Sequence, residues 1–257
     1  GFNAEEGHQF TINLTKMLDN GKANLFHRNT DDHGTWYLPV ALDVDGVKTG
    51  LDAGYTQVGQ RNRHVLVPIS GADGNGGSAI SWESMDMGKG RGWSGSVTGG
   101  SLELNLANDW SFIDRFSLTK GDVDTYGFVP QGAAVTLGSL NGGVAGETVS
   151  GVPLAADQLV QQFGPWVVKK DVSAFNNDLS FGKRWENFKL TLGYYSSAWE
   201  VDEQWSIGNQ KWYQLGHNGE QVSAASITDP CQGATVATCG FKYDVDARGD
   251  ARENAFY

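Results

Sequence analysis

The chain has 257 residues, of which 35 are glycine and 9 are tryptophan, and its formal net charge is -11. Aromatic residues reach 11% while hydrophobic residues stay at 39%, which favours an all-β protein with long polar connections over a helical bundle. The acidic balance and the lack of a Lys/Arg cluster exclude nucleic acid as the main partner. No segment approaches the roughly 20 apolar residues of a membrane-spanning helix.

The first predicted hairpin lies near the start of the chain. Residues 10–15 alternate apolar and polar side chains, and the run 23–28 follows the turn Asp19-Asn20-Gly21. Asn and Gly both accept a positive φ, so this turn is a strong hairpin signal. The alternation has a period of two residues, which gives each strand one apolar and one polar face.

Two further hairpins are predicted downstream, each with a tight turn. The second joins residues 101–106 to 110–119 through Ala107-Asn108-Asp109, and the third joins 175–181 to 188–194 through a turn near 184–187. A strand is also expected around residues 64–69, and a short amphipathic helix is expected at 154–163.

The turns within the hairpins and the connections between them differ greatly in length. The turns are tight, whereas the joining segments run from about residue 31 to 100 and from about 120 to 171. Compact soluble domains rarely carry structureless connections longer than about 15 residues, whereas outer-membrane barrels have short turns at one mouth and long loops at the other. The predicted fold is therefore all-β, an antiparallel transmembrane β-barrel segment with short periplasmic turns and long extracellular loops.

Aromatic and polar positions add detail to this prediction. Trp110, Trp185 and Phe188 stand beside the tight turns, where an interfacial aromatic girdle would lie. In a barrel the Leu/Phe face would meet lipid, and the polar face would line a wet lumen. The predicted lumen-facing residues include Asn105, Arg115 and Asp178. Alternation by itself does not distinguish this barrel from a soluble sandwich, in which the apolar face would form the core.

Several aromatic residues in the long segments are candidates for ligand binding. Rings with amide and acidic neighbours suit sugars or ring-bearing small ligands, and the alternative is that they pack the loops or mark the outer interface. The candidates are Trp36, Tyr37, Trp205, Trp212 and Tyr213.

The two cysteines lie close together near the end of the chain. Cys231 and Cys239 are interpreted as a loop disulfide, which would place that segment outside the cytoplasm, with two free thiols as the alternative. The run 88–92 lacks the Walker spacing, and Asp43-Val44-Asp45-Gly46 lacks the later calcium ligands. We therefore predict no catalytic residue, no metal, no cofactor and no enzymatic activity.

Several segments together resemble barrel hairpins of proteobacterial TonB-dependent receptors. They are residues 108–122 (NDWSFIDRFSLTKGD), 175–183 (FNNDLSFGK), 190–195 (LTLGYY), 205–209 (WSIGN) and 10–16 (FTINLTK). The resemblance implies a large barrel in the bacterial outer membrane, filled by an amino-terminal plug domain. It implies that extracellular loops capture a scarce ligand such as a siderophore, a cobalamin or an oligosaccharide. An energy-transducing inner-membrane complex would then drive import through the plug.

The sequence lacks three features that are typical of the family. There is no plug, no amino-terminal coupling box and no closing carboxy-terminal strand, and a new strand is expected to begin at Asn254-Ala255-Phe256-Tyr257. We therefore expect residues 1–257 to be part of a single barrel domain within a longer protein. The alternatives are a passive porin-like channel and a soluble extracellular β-sandwich carbohydrate-binding module.

Overall fold

A computed structural model of the chain describes residues 5–34, 64–72, 78–207, 211–216, 219–228 and 243–257. Most of these residues lie in antiparallel strands, which confirms the predicted all-β class. The strands of the described ranges form an open main sheet and two small two-stranded sheets, with no closed barrel among them. Within these ranges, no helix is both long enough and apolar enough to cross a bilayer.

The main sheet is an antiparallel meander in which each strand pairs with the next one along the path. Its order is β1 (Glu5–Leu18), β2 (Gly21–Gly34), β5 (Arg91–Leu106), β6 (Trp110–Thr136), β9 (Leu159–Arg184), β10 (Lys189–Ile207) and β12 (Tyr243–Phe256). The short strand β11 (Lys211–Gln214) also pairs with β9, beyond the end of β10.

The remaining elements lie between these strands. Strands β3 (His64–Ala72) and β4 (Ser78–Asp86) form a separate hairpin, followed by a 3₁₀ turn at Met87–Lys89. The connection between β6 and β9 contains the short helix α1 (Leu137–Leu140) and the paired strands β7 (Gly146–Glu147) and β8 (Pro153–Leu154). A second 3₁₀ turn lies at Ala224–Ser226.

All three predicted hairpins are confirmed, and their turns lie at one end of the sheet, which we call the tight-turn end. Residues 19–20, 107–109 and 185–188 connect β1 to β2, β5 to β6 and β9 to β10. In the second turn Asn108 and Asp109 have φ values of 59° and 60°, which these two side chains tolerate better than most. The long connections leave from the opposite end, which we call the loop end.

The strands are much longer than predicted, so the predicted connection from 120 to 171 is wrong. Strand β6 has 27 residues and β9 has 26, which leaves only residues 137–158 between them. Likewise β2 continues to Gly34 and β5 already begins at Arg91. The apolar alternation that marked these strands ends near Leu118, because charged residues such as Lys120 and Asp122 take its place.

Three smaller predictions have mixed outcomes. Strand β3 confirms the strand expected around residues 64–69. The helix expected at 154–163 is wrong: Val160 and Phe163 of β9 pack into two different hydrophobic clusters, so both sides of this strand are apolar and imitate helical spacing. The strand expected to begin at Asn254 begins at Tyr243 instead. Its first half alternates small and charged residues, so the sequence shows no apolar alternation there.

The buried core lies at the loop end of the sheet, where elements of the connections pack on β6 and β9. In a first cluster, the β3–β4 hairpin packs against β6 and β9 near the loop end. In a second cluster, α1 and β8 pack against β9 and β11. We call these two clusters the loop lobe. They consist of Val65, Val67, Met85, Met87, Tyr126, Phe128, Phe163, Val167, Tyr213 and Leu215 in the first and Leu137, Leu140, Leu154, Val160, Trp212 and Val222 in the second.

Candidate functional site

The register of the main sheet assigns every strand residue to one of two faces. Residues directly opposite each other in neighbouring strands point to the same side of the sheet. Phe112, Phe181 and Leu192 are partners across β6, β9 and β10 and define the Leu192 face. Arg115 and Asp178 are partners across β6 and β9 and define the Asp178 face.

Near the tight-turn end, the Leu192 face is an exposed apolar band. On β6 the band runs from Trp110 to Leu118, about the 9–11 residues that a tilted membrane strand needs. Twelve of its large hydrophobic side chains are 38–84% exposed to solvent, where soluble proteins would normally bury them. They are Phe10, Ile12, Leu14, Leu25, Leu106, Trp110, Leu118, Phe175, Phe181, Leu190, Leu192 and Phe256.

Several polar groups interrupt the band, and two pairs of them are hydrogen-bonded to each other. The amide of Asn177 donates to Asp114 over 2.7 Å. The hydroxyl of Tyr194 donates to Asn254 over 2.6 Å. This pairing limits the cost of polar groups on an apolar surface, because an unsatisfied polar group there would lose its hydrogen bonds to water.

Aromatic residues edge the band beside the tight turns. Trp185 and Phe188 stack with ring centroids 4.3 Å apart. The ammonium of Lys183 lies 5.6 Å from the ring centroids of both Trp110 and Trp185, within cation–π range. Trp110, Trp185 and Phe188 are each more than 40% exposed, as interfacial rings would be.

Toward the loop end, the same face becomes a charged belt. Arg248 of β12 forms ion pairs with Glu200 and Asp202 of β10. Partial burial and the nearby carboxylates of Asp171 and Asp124 raise the pKa of Asp122 above its ordinary value. The charged belt comprises Lys120, Asp122, Asp124, Lys169, Asp171, Glu200, Asp202, Arg248 and Asp250.

On the Asp178 face, the part near the tight-turn end is a polar ladder across neighbouring strands. Glu103 of β5 pairs with Lys22 of β2 at 3.2 Å and with Arg115 of β6 at 3.5 Å. Arg115 lies opposite Asp178 of β9, which accepts a 2.6 Å hydrogen bond from the Tyr257 hydroxyl. Asn105 lies on this same face, so the three residues predicted to line a lumen share one polar surface.

Toward the loop end, the Asp178 face carries four tryptophans, Trp93, Trp166, Trp199 and Trp205, which we call the tryptophan wall. Trp166 and Trp205 lie with ring centroids 6.4 Å apart. The ammonium of Lys170 lies 5.6 Å from the Trp205 ring and pairs with Glu203 at 2.8 Å.

The aromatic ligand candidates from the sequence are therefore separated. Trp205 belongs to the wall, whereas Trp212 and Tyr213 are only 7% and 4% exposed inside the loop lobe. Burial raises the pKa of Tyr213. Packing is the observed role of these two rings, and their role as ligand contacts stays a prediction. Trp36, Tyr37, Cys231 and Cys239 lie outside the described residues.

Sequence reasoning missed Trp93, Trp166 and Trp199, which share the wall with Trp205. A signal for them was present in residues 199–202, Trp-Glu-Val-Asp, where apolar and acidic residues alternate as in a strand with one apolar face.

Comparison with known proteins adds no relative: no family model, no curated protein and no solved structure matches the chain. The two faces of the sheet are therefore the basis for proposing a function.

Proposed function

We propose that this chain forms part of the barrel wall of a TonB-dependent receptor in the bacterial outer membrane. The receptor binds a scarce extracellular nutrient, and energy from an inner-membrane complex, transmitted through a plug domain, drives its import. The apolar band faces lipid, and the Asp178 face lines the lumen. The short turns are periplasmic and the loop lobe is extracellular.

The exposed apolar band is the observation that carries the proposal. Its side chains alternate with a polar ladder on the opposite face, as lipid-facing and lumen-facing residues do in membrane barrels. In a soluble β-sandwich the apolar strand faces would supply the core. Here the buried clusters of the described residues lie in the loop lobe and include none of the exposed band residues. This contrast favours the membrane barrel over the sandwich module.

The strand directions add a requirement for closure. The main path has seven antiparallel strands from β1 to β12, so these two edge strands run parallel to each other. A closed antiparallel barrel built on this sheet therefore needs an odd number of further strands. Closure matters because an unpaired strand edge in lipid leaves backbone groups without hydrogen bonds.

The preference for a receptor over a porin rests on the resemblance of the hairpins and on the long strands. About nine residues of β6 form the apolar band, while the strand continues to Thr136. Such an extension raises the loop lobe well above the membrane surface, at about 3.3 Å per residue. A barrel wall that extends beyond the membrane and carries aromatic residues on its lumenal side suits the capture of a ligand better than the free diffusion of solutes.

The test is to fractionate cells that make the native protein and to reconstitute the purified product in planar bilayers. We expect recovery from the outer membrane only with detergent, and no steady ionic conductance, because a plug fills the lumen. A stable open conductance would replace the receptor with the porin. Full solubility without detergent would replace both with the sandwich module.

A further inference from the structure

Two of the Asn-Gly pairs in the sequence lie in the part of the chain that the structure describes. They are Asn20-Gly21, in the first tight turn, and Asn141-Gly142, directly after helix α1. An asparagine followed by glycine can lose its side-chain amide spontaneously, because glycine has no Cβ to hinder its nitrogen as it approaches the side-chain carbonyl carbon. The reaction requires the local backbone to move, so the surroundings of each pair decide its rate.

The Asn20-Gly21 pair is held in place by strand β5. The carbonyl of Asn20 accepts a 2.6 Å hydrogen bond from the backbone N–H of Asn105. The side-chain amide of Asn20 donates to the carbonyl of Asn105 over 3.1 Å. Gly21 packs so closely on β5 that a Cβ on it would overlap the carbonyl oxygen of Glu103. Movement of this turn would break these contacts, so the fold protects Asn20.

The Asn141-Gly142 pair lies in open surroundings. Gly142 and Gly143 are exposed and have φ values of 60° and 85°. Apart from chain neighbours, no described atom lies within 4 Å of where a Cβ on either glycine would stand. The backbone N–H groups of Asn141 and Gly143 both donate to the carbonyl of Gly138, but that of Gly142 has no hydrogen-bond partner among the described residues. The nitrogen that deamidation requires is therefore free and exposed.

We propose that Asn141 is a site of spontaneous deamidation and that its conversion opens the turn after α1. The Gly142 nitrogen gives its proton to solvent base and attacks Cγ of Asn141, which forms a cyclic imide. The side-chain nitrogen takes up a proton and leaves as ammonia. Water then opens the imide at either carbonyl carbon, so position 141 becomes aspartate or isoaspartate and gains a negative charge.

The amide of Asn141 stabilises the turn that follows α1. It donates to the carbonyl of Ala145 over 3.2 Å and to that of Val144 over 3.5 Å. A carboxylate has no proton to donate and is repelled by both oxygens. The adjacent Leu140 is buried in the second cluster of the loop lobe, and its carbonyl accepts hydrogen bonds from the N–H and the hydroxyl of Thr228. Opening of the turn therefore destabilises this part of the loop lobe.

The test is to keep the folded native protein in mildly alkaline buffer and to follow both Asn-Gly peptides by mass spectrometry. We expect the Asn141 peptide to show the mass increase of amide-to-acid conversion, with isoaspartate among the products, while the Asn20 peptide stays unchanged. In urea-unfolded protein the two peptides should convert at similar rates, because only the folded structure distinguishes them. Asn141→Gln is the matched control, since it keeps an amide on a longer side chain that cyclises far less readily.

The effect on the loop lobe is measured by hydrogen exchange. Asn141→Asp supplies one product directly and should lower the protection of the α1 amides relative to Asn141→Gln, without an effect at the tight-turn end. Equal conversion of Asn20 and Asn141 in the folded protein, or no conversion of Asn141 until the protein unfolds, would overturn the proposed site. Equal exchange in the two variants would overturn its effect on the turn. None of these outcomes depends on where the protein resides, so they are separate from the test of the receptor.

Discussion

Placing a charge on each face of β10 tests the orientation of the sheet. Leu192 and Thr191 are adjacent in sequence and lie on opposite faces, and both side chains are exposed. Leu192→Arg puts a guanidinium in the apolar band, whereas Thr191→Arg puts the same group on the polar ladder. The two variants therefore differ in the environment of the charge and not in its chemistry.

The expected cost follows from the depth of Leu192 in the band. On β10 the band runs from Leu190 to Ala198, so its centre is near Tyr194. Leu192 is two residues from that centre, roughly 7 Å along the strand and about 5 Å in depth for a strand tilted by about 45°. An arginine costs about 2–4 kcal/mol at the midplane and about 0–1 kcal/mol at the interface. We expect about 2 kcal/mol for Leu192→Arg, a factor of roughly thirty in the folding equilibrium.

The measurement is reversible urea unfolding of the native protein in lipid vesicles, followed by tryptophan fluorescence. Thr191→Arg should unfold within about 0.5 kcal/mol of the wild type, as surface substitutions usually do. Equal losses for the two variants would show that neither face meets lipid. A larger loss for Thr191→Arg would reverse the orientation of the sheet.

Three further predictions concern single positions. Asn108→Val should cost about 1–2 kcal/mol in the same unfolding assay, because a β-branched residue resists the positive φ of this turn, and an unchanged midpoint would contradict the turn geometry. Gly95→Ala should cost about 1–3 kcal/mol in the same assay, since its Cβ would meet Lys120 O at 2.6 Å as well as the Trp93 ring; wild-type stability would contradict this close packing. The folded-state pKa of Asp122 is raised, so its ionisation opposes folding once the pH exceeds its ordinary value of 3.8. Asp122→Asn should therefore raise the unfolding temperature near pH 7 and not near pH 3, where the acid is protonated in both states; an equal shift at both pH values would exclude ionisation as the cause.

The part of the fold that could be predicted from the sequence is the part near the tight-turn end. Phe10 to Leu14 and Phe175 to Phe181 show their alternation because one face is mostly apolar, with Asn177 as an exception, and the other is polar. The turns were also predicted in place: Asn108 and Asp109 adopt the positive φ that they tolerate, whereas the first turn forms at Asp19-Asn20 without a positive φ. Register places Asn105, Arg115 and Asp178 on one face, as the alternation predicted, and their role as lumen-facing residues stays a prediction.

The half of the sheet toward the loop end was not predicted, because its strands alternate small and charged residues instead of apolar and polar ones. In β12 the pattern pairs small residues such as Ala247 and Gly249 with charged residues such as Arg248 and Asp250. A search for Leu and Phe finds no strand there. Pairing with β10 supplies the backbone hydrogen bonds that hold such a strand, and pairing between distant segments is not visible in local composition.

The Leu192 face changes from apolar Leu118 to charged Lys120 along β6, which accounts for the missed parts of the strands toward the loop end. In the proposed barrel, the part of the wall that rises out of the lipid must turn a charged outer face to water, as Lys120, Asp122 and Asp124 do. Farther along β6 the same face is apolar again at Tyr126 and Phe128, because the β3–β4 hairpin covers it. Register places Trp199 on the opposite face, where it is 45% exposed and outside both clusters of the loop lobe. The face on which a residue lies follows from pairing between distant strands, and composition alone carries no information about it.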